Sequence, residues 1–156
     1  MPIDRIFHLN IVCTDLQRSR AFYEQVGFTT VLDTGSRPGG PDRAGVGMGA
    51  DSLNAVMMMT LEPDNPSAPL IDLMQWMEPA SHGEATHRAP RSDLAHVGMA
   101  RLALRTTGID GEHARLREAG VEFLSPPVTM SDGTTRYCCF FDPDGTILEL
   151  VEFGTA

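Results

Sequence analysis

Short apolar runs divide this chain into strand-length pieces, and two longer stretches carry the three-and-four spacing of a half-buried helix. Residues 7–12 (Phe-His-Leu-Asn-Ile-Val) form an apolar, β-branched run that predicts a strand. Thr14 and Asp15 follow, with side-chain oxygens suited to capping a helix N-terminus. Leu16, Ser19, Arg20, Phe22, Tyr23 and Val26 then keep helical spacing up to Gly27, and residues 28–32 return to a strand pattern. The same sequence of signals recurs later. Residues 101–106 alternate as a strand, 107–110 read as a polar turn, a helix is expected over 111–119, and Gly120 ends it before an apolar run at 121–124.

The two stretches superpose without a gap, since His8 to Gly27 and Arg101 to Gly120 both span nineteen positions. Each half also closes on an apolar strand with one carboxylate at its centre, Asp72 in residues 70–74 and Glu149 in residues 147–151. The first half is longer, and the excess is assigned to a Gly- and Pro-rich loop over 33–52, followed by a strand over 53–61. In the second half the middle strands are expected at 128–130 and 135–141, with turns at 131–133 and 142–145. Each half therefore reads βαβββ. The modules are placed at 1–78 and 96–156, with 79–95 as a polar linker. A single four-stranded module leaves a sheet face bare, so the expected fold is α+β, with two βαβββ modules forming a paired half-barrel sheet around a shared groove, within one chain or across a dimer.

Composition narrows the function classes. Of 156 residues 42% are apolar and 21% charged, which fits a folded chain and neither a disordered nor a fibrous one. Twelve basic against twenty-one acidic residues leave a net charge of −9 with no basic stripe, which argues against nucleic acid as a partner. The acidity reads first as a solvated surface and is also compatible with a cationic ligand. No run approaches the ~18 apolar residues that span a bilayer, and the residues after Met1 lack a signal-peptide pattern, so the expectation is a cytoplasmic protein with no membrane partner. Cys13, Cys138 and Cys139 form neither a disulfide framework nor a Cys-x-x-Cys site and read as reduced, buried thiols.

With HLNIVCTD ahead of LQRSRAFYEQVGF, and FFDPDGTILELVEF near the end, the chain resembles the vicinal oxygen chelate superfamily. That superfamily includes glyoxalase I, bleomycin-resistance proteins, extradiol dioxygenases, methylmalonyl-CoA epimerase and fosfomycin-resistance transferases. The resemblance covers nearly the whole chain, its middle only in outline. In metal-dependent members the ligands come from inward-facing positions on the first and last strands of each half, which correspond here to His8, Asp72, Arg101 and Glu149. The implied cofactor is a divalent ion, Fe(II), Mn(II), Ni(II) or Zn(II), held by His8, Glu149 and Asp72. It would act on an oxygenated small molecule by lyase, isomerase or ring-cleaving chemistry, with Glu149 and Arg101 as catalytic candidates.

The chain departs from that pattern at two corners. Arg101 stands where glyoxalases and dioxygenases commonly carry a second histidine, and a guanidinium stays protonated and does not ligate metal. Asp72 is one methylene shorter than the more usual Glu or Gln, and a salt bridge or an outward orientation is its alternative. Two readings follow. Either His8, Glu149 and Asp72 hold an ion while Arg101 positions an anionic substrate group, or Arg101 replaces the metal by pairing with Glu149 or Asp72 and the groove only binds. In the binding reading an acidic groove walled by Trp76, Phe140 and methionines takes a cationic or aromatic compound, as in drug-sequestering members. The resemblance also implies a homodimer.

Other conspicuous residues have plainer readings. Asp15 is a helix cap, His113 lies on a charged and exposed helix face, and His82, Glu84, His87 and His96 belong to the linker, without the spacing of a helical metal site. Strand alternation sends Cys138 and Cys139 to opposite faces.

Overall fold

The computed structural model describes residues 5–38, 45–49, 51–81 and 98–154. The chain divides into two compact units, residues 1–84 and 85–156. The first runs β1 (His8–Val12), α1 (Leu16–Val26), β2 (Thr29–Pro38), β3 (Leu53–Thr60) and β4 (Leu70–Glu78). The second runs β5 (Leu102–Arg105), α2 (Ile109–Glu118), β6 (Val128–Thr129), β7 (Arg136–Phe141) and β8 (Ile147–Glu152). The sheets have the same topology, β1-β4-β3-β2 and β5-β8-β7-β6, with the first and last strands of each unit parallel and the other neighbours antiparallel. The architecture is α+β, two βαβββ modules.

Local chemistry sets the ends of α1. Asp15 Oδ1 accepts from the backbone N–H groups of Gln17 and Arg18, both at 3.0 Å, and satisfies two donors that the helix leaves open. Gln75 on β4 completes the start by accepting from the Leu16 N–H at 3.0 Å and donating to the Thr14 carbonyl at 2.9 Å. At the other end Gly27 has φ 115°, a left-handed geometry that lets the Gly27 and Phe28 N–H groups return to the Tyr23 carbonyl. The helix buries Leu16, Ser19, Tyr23 and Val26. Opposite it, Ile11, Met57, Met59, Ile71 and Leu73 are buried on one face of the sheet. Full burial of such side chains contributes about 1.5–3 kcal/mol each.

In the second unit α2 buries Ile109 and Leu116, while Cys138, Phe140, Leu148 and Leu150 are buried on the alternate positions of β7 and β8. Arg136 of β7 reaches Asp110 in the first turn of α2, forming a two-pronged ion pair.

Five expectations are corrected. The helix α2 starts at Ile109, two residues early, because Gly108 serves as the N-cap without a side-chain bond. Residues 121–124 contribute only a single bridge, Phe123 to Phe140, and β6 shrinks to two residues. The strand β2 continues to Pro38, since pairing with β3 carries the backbone past Asp33 through two register shifts. His113 is half-buried rather than exposed. Its ring stands edge-on to Phe123 at 4.5 Å, and burial, helped by nearby Arg117, lowers its pKa. Among the described residues no helix is long and apolar enough to cross a membrane.

Candidate functional site

In each sheet one face carries the helix, and the opposite face carries the polar corners. Strand alternation and the parallel register of the outer pair decide which residues share that second face. In the first unit Asn10 lies beside Asp72, Asp72 beside Met58, and Met58 beside Leu32, a row across all four strands. The bulge between Thr30 and Leu32 in β2 brings Leu32 into this row. His8 lies two residues before Asn10 and therefore on the same face, and Met74 and Trp76 follow Asp72 at the same alternation. In the second unit Ala103 lies beside Glu149, and Glu149 beside Cys139. Arg101 precedes Ala103 by two, as His8 precedes Asn10, so the nineteen-residue repeat corresponds to equivalent places in the two sheets.

The two closing carboxylates are held differently. Asp72 is 5% exposed, and its Oδ2 accepts from Asn10 Nδ2 at 3.0 Å. Its Oδ1 is buried and has no hydrogen-bond partner among the described residues. Burial raises the Asp72 pKa above the ordinary carboxylate value, against the lowering effects of the Asn10 hydrogen bond and the His8 charge. Glu149 is also buried, but its Oε2 is paired with Arg101 Nε. The Arg101 side chain is 44% exposed. It lines a cleft of about 280 Å³ with Met99, Ala100, Gly145, Thr146 and Ile147. The Cys139 thiol lies 3.9 Å from Glu149 Oε2. Burial raises both adjacent thiols, Cys138 to about 11, so neither is a ready nucleophile or thiolate ligand.

The donor chemistry in the second unit does not suit a metal ion. A divalent cation on Glu149 would have to displace a guanidinium already in contact with the carboxylate, and the neighbouring Cys139 is held as a neutral thiol. In the first unit His8 and Asp72 supply two donors, fewer than the three protein ligands of a usual catalytic site. Among the described residues no three His, Cys, Asp or Glu side chains are grouped to hold an ion.

The structure thus brings His8 and Asp72 to one face of the first sheet and Arg101 and Glu149 to one face of the second. Trp76 lies on the Asp72 face and is half-buried. Phe140, expected on a groove wall, is instead fully buried on the opposite side of β7 from Glu149, against Phe123, because alternation after Cys139 turns it toward the helix side. His82, Glu84, His87 and His96 lie outside the described residues. Sequence reasoning missed Asn10 and Met58. The signal for Asn10 was available, since a residue two positions from His8 on one strand must share its face, whereas Met58 became a neighbour of Asp72 only through register.

This duplicated scaffold with four polar corners defines a class. The chain belongs to the glyoxalase/bleomycin resistance protein/dioxygenase superfamily, whose family model matches residues 5–150. It is 28% identical to the Bacillus subtilis (strain 168) protein YwkD over 154 residues, covering 97% of this chain and 99% of the relative. Among solved structures, a glyoxalase family protein from Bacillus cereus superposes with a TM-score of 0.81 at 22% identity, covering 98% of this chain and 96% of that one. TnmS3, an antibiotic binding protein from Streptomyces sp. CB03234, superposes with a TM-score of 0.62 at 23% identity, covering 99% of each chain. At these identities the structural likeness speaks to the fold alone.

Proposed function

We propose that this chain is a metal-independent binding protein for a small organic molecule. The observation that carries the reading is the Arg101–Glu149 ion pair: a fixed cation stands on the carboxylate that a metal would need, at the corner equivalent to His8. The half-exposed guanidinium keeps N–H donors for an anionic or carbonyl group of the ligand. The antibiotic-binding role named for TnmS3 is consistent with this use of the scaffold. The protein is read further as cytoplasmic and as a homodimer, and sedimentation of the purified chain checks the dimer.

The test is elemental analysis of protein purified without chelator, followed by calorimetric titration with Mn(II), Ni(II), Zn(II) and Fe(II) under reducing conditions. No stoichiometric ion and no saturable binding are expected in the native protein. One ion per native chain, lost in Glu149→Gln, would overturn the proposal.

One observation favours a second reading. Asp72 Oδ1 is bare and His8 shares its face, so these two side chains are donors for a divalent ion that would support lyase, isomerase or ring-cleaving chemistry on an oxygenated small molecule. That stoichiometric ion, and its loss in His8→Ala, is the result that would select this reading.

A further inference from the structure

We infer that the open face of the first sheet is a subsite for an organic ammonium group on an apolar body, with Asp72 as its acceptor and Asn10 as the positioning residue that aims it. The inference rests on the metal-independent reading above and adds the chemical class of the ligand.

The argument begins from the asymmetry between the two units. Both closing carboxylates are buried, and among the described residues Glu149 is ion-paired, with Arg101, whereas Asp72 has no ion pair and only the charge of His8 nearby. At the place equivalent to Asn10 the second unit has Ala103, which offers Glu149 no side-chain donor, and its carboxylate is met instead from the Arg101 corner. In the first unit the equivalent corner is His8, and Asn10 supplies a neutral donor to Asp72 Oδ2. Oδ1 is left buried and without a partner among the described residues. A buried carboxylate with one bare oxygen is costly to maintain, and the group that best offsets it is a charged donor, because a cation recovers Coulombic energy as well as the hydrogen bond.

The surroundings select the rest of the ligand. Met58 flanks Asp72 on the side away from Asn10, and Leu70 and Met74 precede and follow it on the same face of β4. At the margins Val12 and Leu32 remain 48% and 46% exposed. Beside His8, Asn10 and Trp76 on the same face, a buried carboxylate in a field of thioether and aliphatic surface fits a molecule whose single cationic nitrogen projects from an aromatic or aliphatic body, and thioethers adapt to the faces of aromatic rings. A hydrated metal ion would leave that apolar field unused. Asn10 acts through Asp72: by taking Oδ2 it fixes the carboxylate plane and leaves Oδ1, closed to solvent in the ligand-free chain, as the acceptor that an entering ammonium uncovers.

The test uses the full chain and three naphthalene probes of similar shape, 1-naphthylmethylammonium, 1-naphthylmethanol and 1-naphthylacetate. Ligand-observed NMR and calorimetry follow binding, and the Asn10 side-chain amide signals report on the site. The ammonium probe is expected to bind at least about tenfold more tightly than the alcohol and to shift the Asn10 amide signals, with the carboxylate weakest. Asp72→Asn, close to isosteric, should abolish the ammonium preference while the protein still melts cooperatively. Asn10→Leu should reduce the preference, and Asn10→Ser, which restores a donor, should recover part of it. Equal affinity for ammonium and alcohol, or an unchanged preference in Asp72→Asn, would overturn the inference, as would displacement of the ammonium probe by stoichiometric Mn(II). Elemental analysis of the same samples separates the two proposals: a failed subsite with no metal bound refutes only the subsite, whereas a native metal ion refutes the metal-independent reading.

Discussion

Replacing Asp72 by Asn should make the protein more stable at neutral pH, although the carboxylate lies at the centre of the candidate site. Asp72 is 5% exposed with one oxygen lacking a partner, and such an unmet buried acceptor costs about 1–3 kcal/mol. The amide keeps an oxygen for Asn10 Nδ2 and is cheaper to desolvate than a carboxylate, while the hydrogen bond loses its charge assistance. The net gain is about 1–2 kcal/mol, or roughly 3–6 °C in Tm for a chain of this size. The pH dependence follows from the direction of the shift. Burial raises the folded-state pKa of Asp72 above 3.8, so the native state holds its proton more tightly than the unfolded chain. The stabilisation from the protonated form is fully present below the unfolded value and is lost as pH rises through the folded one. Urea denaturation of both proteins at several values from about pH 4 to pH 7.5 should therefore show a gap that widens with pH. A variant less stable than the parent at pH 7, or a gap that does not change with pH, would refute the reasoning and show that Asn10 and His8 more than offset the burial.

Three further outcomes follow from the same structure. Arg101→Gln removes the partner of a nearly buried carboxylate and should cost about 1–2 kcal/mol, discounted for the half-exposed guanidinium, as read by urea denaturation. Asp15→Ala deletes the side-chain acceptor at the start of α1 and should cost about 1 kcal/mol, with faster hydrogen exchange at Gln17 and Arg18. The three thiols, at 8% exposure or less, should resist a disulfide-exchange reagent at pH 8 in the native state and react when the chain is unfolded.

Elements with local signals were legible in the chain. Asp15, the apolar spacing behind it and Gly27 marked α1 because capping and left-handed termination involve residues only a few positions apart. The second helix lacked a side-chain cap, and its start was displaced by two residues. The run at 121–124 has strand composition, but backbone pairing rather than composition decides a strand, and there it amounts to one bridge. The tail of β2 was lost to the opposite error, since its Gly and Ser residues resemble a loop and pairing with β3 overrides that preference.

The sequence by itself determined the duplicated βαβββ order and the caps of α1, because alternation and helical spacing are short-range and the strand–helix stretch was repeated at equal distance, while the family resemblance marked the four corner positions. Only tertiary structure decided what each corner does. Asn10 meets Asp72 across 62 residues through the parallel register of β1 and β4, and Arg101 meets Glu149 through that of β5 and β8. Two equivalent carboxylates thereby acquired different states, one neutralised by a guanidinium and the other with an oxygen left bare. Partner and exposure are properties of strands brought together by a helix crossover, and no short-range pattern carries them.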